Sequence, residues 1–565
     1  MKVMMTLEQQ VEEKIDALFQ AYNQEDTPGC AVGVLRDGEL IFKRGYGVAN
    51  LEHDVPITPR TVFCLASQAK QFTGMCIALL EEAGRLSLED DIRKYLPEFP
   101  DYGPRITLAH LLHQCSGIRD YYVLALFMAG VKFHDYLNRD EALEILLAQR
   151  ELIFQPGERF HYSNSNYFLL SLMIERITGQ TLSQFSQKHI YEPLGMQNTC
   201  FRENHSLPIK QRATGYGRFP LRNEEPGSDQ FDMGEATHFT CTNELELTGD
   251  DGVWSCIEDL ALWYQNLSVN RLGQGRPELI ERYLTPGRLL DGTSTGYAYG
   301  LCVGTRNGAP FIDHRGWTCG YVAVCEHYVG ERLSLFILSN TSRLLPWEYT
   351  GRLRAILLDE SEQPSAPVAS RAPYILSKAE RACVTGSYHC PENAYVWQIA
   401  DVEGRLCVTV NGLDEVELLP REKHTFEISD GSYQVTVVPG KSGVHAHLEV
   451  SRGERTWTFL PFRSSPLSEP EAQAYAGVYH CEELATTYDV SIEDGRVCLR
   501  NRNRHRCGLD LAFEPTVGDL CYKYDSWVDD VVIEFQRDPE STIYAFVFRS
   551  HRGDACERLR FERIG

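Results

Sequence analysis

Gly386-Ser387-Tyr388-His389-Cys390 recurs as Gly477-Val478-Tyr479-His480-Cys481, and Gly404-Arg405-Leu406-Cys407 recurs as Gly495-Arg496-Val497-Cys498. Both pairs are separated by 91 residues, so nothing was inserted or lost between the two matches. A block that repeats in register is one structural unit made twice. Short runs at 405–410, 433–438, 444–450 and 456–459 alternate apolar and polar residues, the period of strands. Two related antiparallel β-barrels are predicted, over 375–465 and 470–565, with a polar segment at 464–470 between them. His389, Cys390, His480 and Cys481 have metal-ligand chemistry. Because the repeat shares them, an architectural role is expected and no metal.

The first 359 residues read differently. Helical and strand patterns alternate, as in an α/β sandwich. Residues 31–35 and 40–42 flank the turn Arg36-Asp37-Gly38 and read as a hairpin. Strands at 314–325 and 333–339 are expected to complete one sheet. Residues 360–374, polar and holding Pro364, Pro367 and Pro373, read as a linker.

Chemistry enters at Ser67 and Lys70, three residues apart at the start of the apolar, helix-forming run Phe72 to Leu80. On a helix, i and i+3 share a face, so the amine is expected beside the hydroxyl. A desolvated lysine can lose its proton and activate a serine. Tyr162-Ser163-Asn164 follows a Pro156-Gly157 turn and is expected to feed a helix over 168–177. A tyrosine there can relay a proton, and an asparagine amide can hold the lysine and a substrate carbonyl. His314-Arg315-Gly316 precedes the apolar run 317–324, which reads as one buried strand behind an edge position. The backbone N–H groups of Ser67 and Trp317 are expected to form an oxyanion hole there, with His314 as a polar, even cationic, neighbour.

Ser-x-x-Lys, Tyr-x-Asn and His-x-Gly, in this order and roughly 95 and 150 residues apart, resemble the signature of penicillin-recognising serine hydrolases. His in place of Lys in the third motif resembles the D-aminopeptidase branch, as do Ser116 to Tyr121, Thr248 to Val253 and His314 to Cys325. The resemblance spans nearly the whole chain. It implies a β-lactamase-like catalytic α/β sandwich over 1–359, followed by the two barrels. It implies Ser67, Lys70, Tyr162, Asn164 and His314 as catalytic residues, and Gly316 and Trp317 at the substrate. Cys302, twelve residues before His314, lies near the place where the relatives carry an asparagine that lines the pocket, and reads either as a pocket residue or as a buried strand cysteine. In that branch a loop of the C-terminal domain enters the cleft. Here the arginine-rich run 500–506 is the candidate, with Arg504 and Asp510 as substrate contacts; the same run also reads as a solvated basic loop, or one salt-bridged to the catalytic domain.

The resemblance implies a serine acyl hydrolase releasing N-terminal D-amino acids from small peptides, amides or esters, with no cofactor. An esterase, a β-lactamase-like hydrolase or a peptide cyclase would use the same parts, and a catalytically silent sensor is the non-enzyme alternative. A net charge of −24 argues against nucleic acid or anionic membrane as partner. No run approaches the ~20 apolar residues of a membrane span. The N-terminus reads as an amphipathic helix and not a signal peptide. The 18 cysteines then read as reduced thiols in a cytoplasm. A homodimer stays open.

Overall fold

Asp37 and Gly38 both adopt positive φ, 52° and 82°, and this pair turns the chain tightly enough to lay β1 (Cys30–Arg36) against β2 (Glu39–Tyr46). The computed structural model describes residues 7–565 apart from 130–135, 218–237, 242–244, 307–308, 359–373, 375, 393–394, 411–414, 429–432, 440–444, 453–454, 463–468, 503–510, 516–517, 524–529 and 553–554. Nearly all of the expected linker lies outside the described residues.

Four later strands, β3 (Cys302–Arg306), β4 (Ala309–Thr318), β5 (Tyr321–Tyr328) and β6 (Leu333–Ser339), join the hairpin in one antiparallel sheet of order β3-β4-β5-β6-β1-β2. The apolar run 317–324 is therefore two strands and not one. Gly320, at φ 70°, lets Cys319-Gly320 reverse the chain in two residues, and apolar residues on both sides of the turn hid it.

Five helices position the site: α1 (Leu7–Phe19), α2 (Ala69–Glu82), α3 (Asn164–Thr178), α4 (Ile257–Ser268) and α5 (Trp347–Leu357). One face of the sheet buries Val32, Val34, Val324, Leu335 and Ile337 with Ile15 and Phe19 of α1 and Leu353 of α5. On the other face α4 lies so close to β1 that a Cβ at Gly33 would meet Ile257 at 2.4 Å. Helix α3 begins at Asn164 itself, four residues before the expected start. The polar Ser/Asn run reads as loop, but Ser165 and Asn166 are buried in the helix's first turn, where Ser165 donates to the Arg119 carbonyl and Asn166 Nδ2 to Gln114 Oε1.

The α/β region and the barrels form separate compact units, with the segment that begins at Val123 grouped with the barrels. Each barrel has eight strands. The first runs from Gly386–His389 to Arg455–Phe462 and closes by Tyr388 pairing with Pro461; the second runs from Gly477–Cys481 to Ala555–Arg563 and closes by Tyr479 pairing with Arg563. The repeat extends to atomic detail. Tyr388 donates to the Val384 carbonyl (2.8 Å) and Tyr479 to the Tyr475 carbonyl (2.9 Å). Glu403-Gly404 and Asp494-Gly495 make the same positive-φ hairpin turn. The first barrel's interior is apolar, with Trp397, Val408, Leu418, Phe426, Val435 and Leu448 at its centre. Between the two barrels, Val396 and Phe462 pack with Leu520 and Val532.

Candidate active site

From Thr61 to Leu80 every residue is buried except Ser67. Ser67 sits in a single 3-10 turn, Ala66–Gln68, that leads straight into α2. Ala66 is held at φ 49°. That left-handed conformation costs an L-residue about 1–2 kcal/mol, and the buried surroundings must maintain it. One turn on, Lys70 is fully buried. Its Nζ donates to Ser67 Oγ (3.2 Å), Asn164 Oδ1 (2.8 Å) and the Asp250 backbone carbonyl (2.9 Å). It also lies 4.8 Å from the centre of the Tyr162 ring. Three acceptors match the three N–H bonds of an ammonium. A neutral amine keeping the Asn164 and Asp250 bonds would turn its lone pair toward Ser67.

The second motif reaches this point because α3 starts there. Asn164 uses both ends of its amide: Oδ1 accepts from Lys70, and Nδ2 donates to Asp120 Oδ2 at 3.1 Å. Asp120 also accepts from the backbone N–H groups of Asn164 and Tyr122. Half-buried Tyr162 packs its ring near Tyr297 and His314, with centroids 6.1 and 6.2 Å away.

The third motif lies on β4, the second strand of the sheet and not its edge. β3 pairs with β4 only as far as Cys302 opposite Asp313, which leaves residues 314–318 without a strand on that side among the described residues. The Cys319-Gly320 hairpin closes on the pair Thr318–Tyr321, so Trp317 is in a non-hydrogen-bonded pair with Val322. Its N–H therefore points away from β5, to the open side. The Arg306–Ala309 hairpin gives the same parity. The Ser67 turn abuts β4 at Gly316, where a Cβ would meet the Leu65 carbonyl at 2.0 Å. Glycine is what lets the strand and the turn come together.

Of the two states left open for His314, polar or cationic, its surroundings favour the neutral one. Its Nδ1 lies 2.7 Å from the Arg315 carbonyl, which can only accept, so Nδ1 carries the proton. Nε2 then accepts from the Tyr297 hydroxyl at 3.0 Å. Burial, with the Lys70 charge adding to it, pulls the imidazole down to about 3.

Cys302 opens β3 beside this strand, with its surface exposed to solvent. Local desolvation of its sulfur, with the nearby Asp313 carboxylate adding to it, pushes its thiol up. Arg500 pairs with Glu493 and Arg502 with Asp489, both on the second barrel itself. Arg504 and Asp510 lie outside the described residues. His110 and His113, a ligand-like pair in the sequence, have structural partners: His110 Nδ1 caps its helix by accepting from the Thr107 N–H, and His113 Nδ1 meets the Tyr297 carbonyl.

The motifs alone do not point to Asp120, Tyr121, Asp250 or Tyr297. Gly249 and Gly252, at φ 111° and 90°, bend the loop that carries Asp250 and Asp251 into the interior behind Lys70, and Thr73 of α2 donates to the Gly249 carbonyl (2.8 Å). A signal was present in Gly249-Asp250-Asp251-Gly252: two carboxylates between glycines, in a stretch otherwise apolar on its C-terminal side.

Comparison with known proteins bears on the family and the fold. The beta-lactamase family model matches residues 15–358, more than half of the chain. The D-aminopeptidase of Gluconobacter oxydans is 28% identical over 474 residues, covering 82% of each chain. Penicillin-binding protein 4* of Bacillus subtilis is 24% identical over 450 residues, 78% of this chain and 97% of that one. Among solved structures, the octameric penicillin-binding protein homologue from Pyrococcus abyssi superposes with a TM-score of 0.54 at 22% identity, covering 80% of this chain and 99% of that one, which speaks to the fold.

Proposed function

The chain belongs to the beta-lactamase family and is a serine hydrolase, and from that premise we propose that Ser67 attacks a carbonyl to form a seryl ester, on substrates carrying an N-terminal D-amino acid. The observation that carries the mechanism is the Lys70 amine, buried and held by Asn164 and the Asp250 carbonyl so that its remaining direction is Ser67 Oγ. Lys70 takes the serine proton. The Ser67 and Trp317 N–H groups receive the developing oxyanion, the role backbone donors fill best because they are fixed before charge appears. Tyr162, over the amine, passes the proton to the leaving group, and water releases the acyl part by the reverse relay.

Two observations support the substrate reading. Two relatives matched over more than four-fifths of the chain are named D-aminopeptidases. Neutral His314 adds no positive charge to the third motif, so that position does not favour a substrate carboxylate. Cys302 contacts the substrate as a neutral thiol. A panel of amino amides, esters and short peptides in matched D and L forms tests this. Faster turnover of the D-amino amides is expected, with Cys302→Asn reordering the panel without abolishing acylation. Equal turnover of both enantiomers, or turnover of esters alone, would overturn the substrate reading.

A further inference from the structure

The carboxyl group of Asp250 has no part in the mechanism above, yet it is almost fully buried within the site. Its backbone carbonyl anchors Lys70 Nζ. Its Oδ2 is hydrogen-bonded to the Tyr121 hydroxyl at 2.7 Å, and its Oδ1 is buried without a hydrogen-bond partner among the described residues. One residue thus touches the amine through its main chain and places an under-satisfied carboxyl within reach of its charge.

We propose that Asp250 is a positioning residue for the Lys70 amine: neutral, its carboxyl leaves Lys70 to act as a base, and ionised, it holds Lys70 as the ammonium. The inference rests on the reading of Lys70 as the base. The groups that act on this carboxyl are Lys70 from α2, Tyr121 and Asp120 from the segment before α3, and Asp251 beside it on the loop. Of these only Lys70 carries positive charge. Asp120 already accepts three N–H groups, two from Asn164 and one from Tyr122. Asp251 accepts from the Gly252 N–H and the Cys64 thiol. Burial is the largest influence on Asp250 and lifts it to about 7, against the pull of Lys70, so it changes charge in the range where an enzyme works. An anion there stabilises the ammonium.

The test is the pH dependence of the rate at which a fluorophosphonate labels Ser67, followed by intact mass, in the parent, Asp250→Asn and Tyr121→Phe. Asparagine preserves the shape and the backbone carbonyl and removes the charge. The rise of the labelling rate with pH should then shift at least one unit lower, with rates converging at the alkaline plateau. Tyr121→Phe removes a donor from the carboxylate and favours its protonated form. Its midpoint should move the same way by less, and it serves if Asp250→Asn does not fold. Profiles that keep the parent midpoint in both variants, scaled down by a constant factor, would show that the residue is only scaffold. Absence of label on the parent's Ser67 at every pH would remove the functional reading, and this inference with it.

Discussion

The interior behind Lys70 and the interior of the first barrel are both shut off from water, and they are built from opposite materials. The barrel encloses Tyr388, Trp397, Val408, Leu418, Phe426, Val435, Leu448 and Phe459. Behind Lys70 lie Asn164, Asp120, Asp250, Thr73 and Gln71, all buried. Apolar burial stabilises by roughly 25 cal/mol per Å², whereas a buried polar group left without a partner costs about 1–3 kcal/mol. The site also keeps Ala66 left-handed and leaves Asp250 Oδ1 without a hydrogen-bond partner among the described residues. The difference separates two tasks. The barrel interior, apart from the buried Cys390 thiol, is apolar packing that contributes stability. The site holds groups able to do chemistry in an arrangement that only the surrounding fold maintains.

Variants should therefore divide by region. The largest effect is expected from Ser67→Ala: turnover lost by several orders of magnitude with the thermal midpoint nearly unchanged, and Lys70→Ala close behind. A Ser67→Ala chain that keeps turnover would break the contrast at once. Gly316→Val comes next. Its side chain must enter the space of the Leu65 carbonyl, 2.0 Å from the first added atom, and push the Ser67 turn off β4. A loss in kcat of about 100-fold or more is expected, the scale of one displaced oxyanion donor, and parent-like kcat would show the two segments are not in register for catalysis.

A third expectation concerns pH and stability. Asp250 is raised in the folded chain, to about 7 from an ordinary 3.8. Below about pH 4 the carboxyl is neutral folded and unfolded. Between about 4 and 7 the unfolded chain has released a proton that the folded chain keeps, so stability from this group falls as pH rises, and above about 7 the loss is complete. Thermal midpoints measured from pH 4 to 8 should show this fall, and Asp250→Asn should flatten it. The smallest effect belongs to the barrels. Tyr388→Phe and Tyr479→Phe each remove one buried hydrogen bond at equivalent places and should cost about 1 kcal/mol apiece without changing kcat. Unequal costs would show that the repeat is not energetic as well as geometric.

Much of this contrast was legible in the chain. The 91-residue repeat foretold two like barrels because in-register identity leaves little else, and 405–410 falls on a strand of those bounds. The Ser67–Lys70 proximity followed from helical spacing alone. The hairpin at Cys319-Gly320 was not read, because a two-residue turn between apolar strands leaves the run unbroken apart from one glycine. The state of His314 was not legible either. It depends on Tyr297 and on the carbonyl of Arg315, contacts made by the fold and by backbone geometry. Asp120 and Asp250 escaped for the same reason: they meet Lys70 and Asn164 from segments distant in sequence.

The most direct test is to treat the chain with a fluorophosphonate, digest it and locate the adduct by mass. One adduct is expected, on Ser67 in the peptide that also contains or adjoins Lys70, and none on the Ser67→Ala chain. An adduct on another serine, or undiminished labelling of Ser67→Ala, would contradict the account.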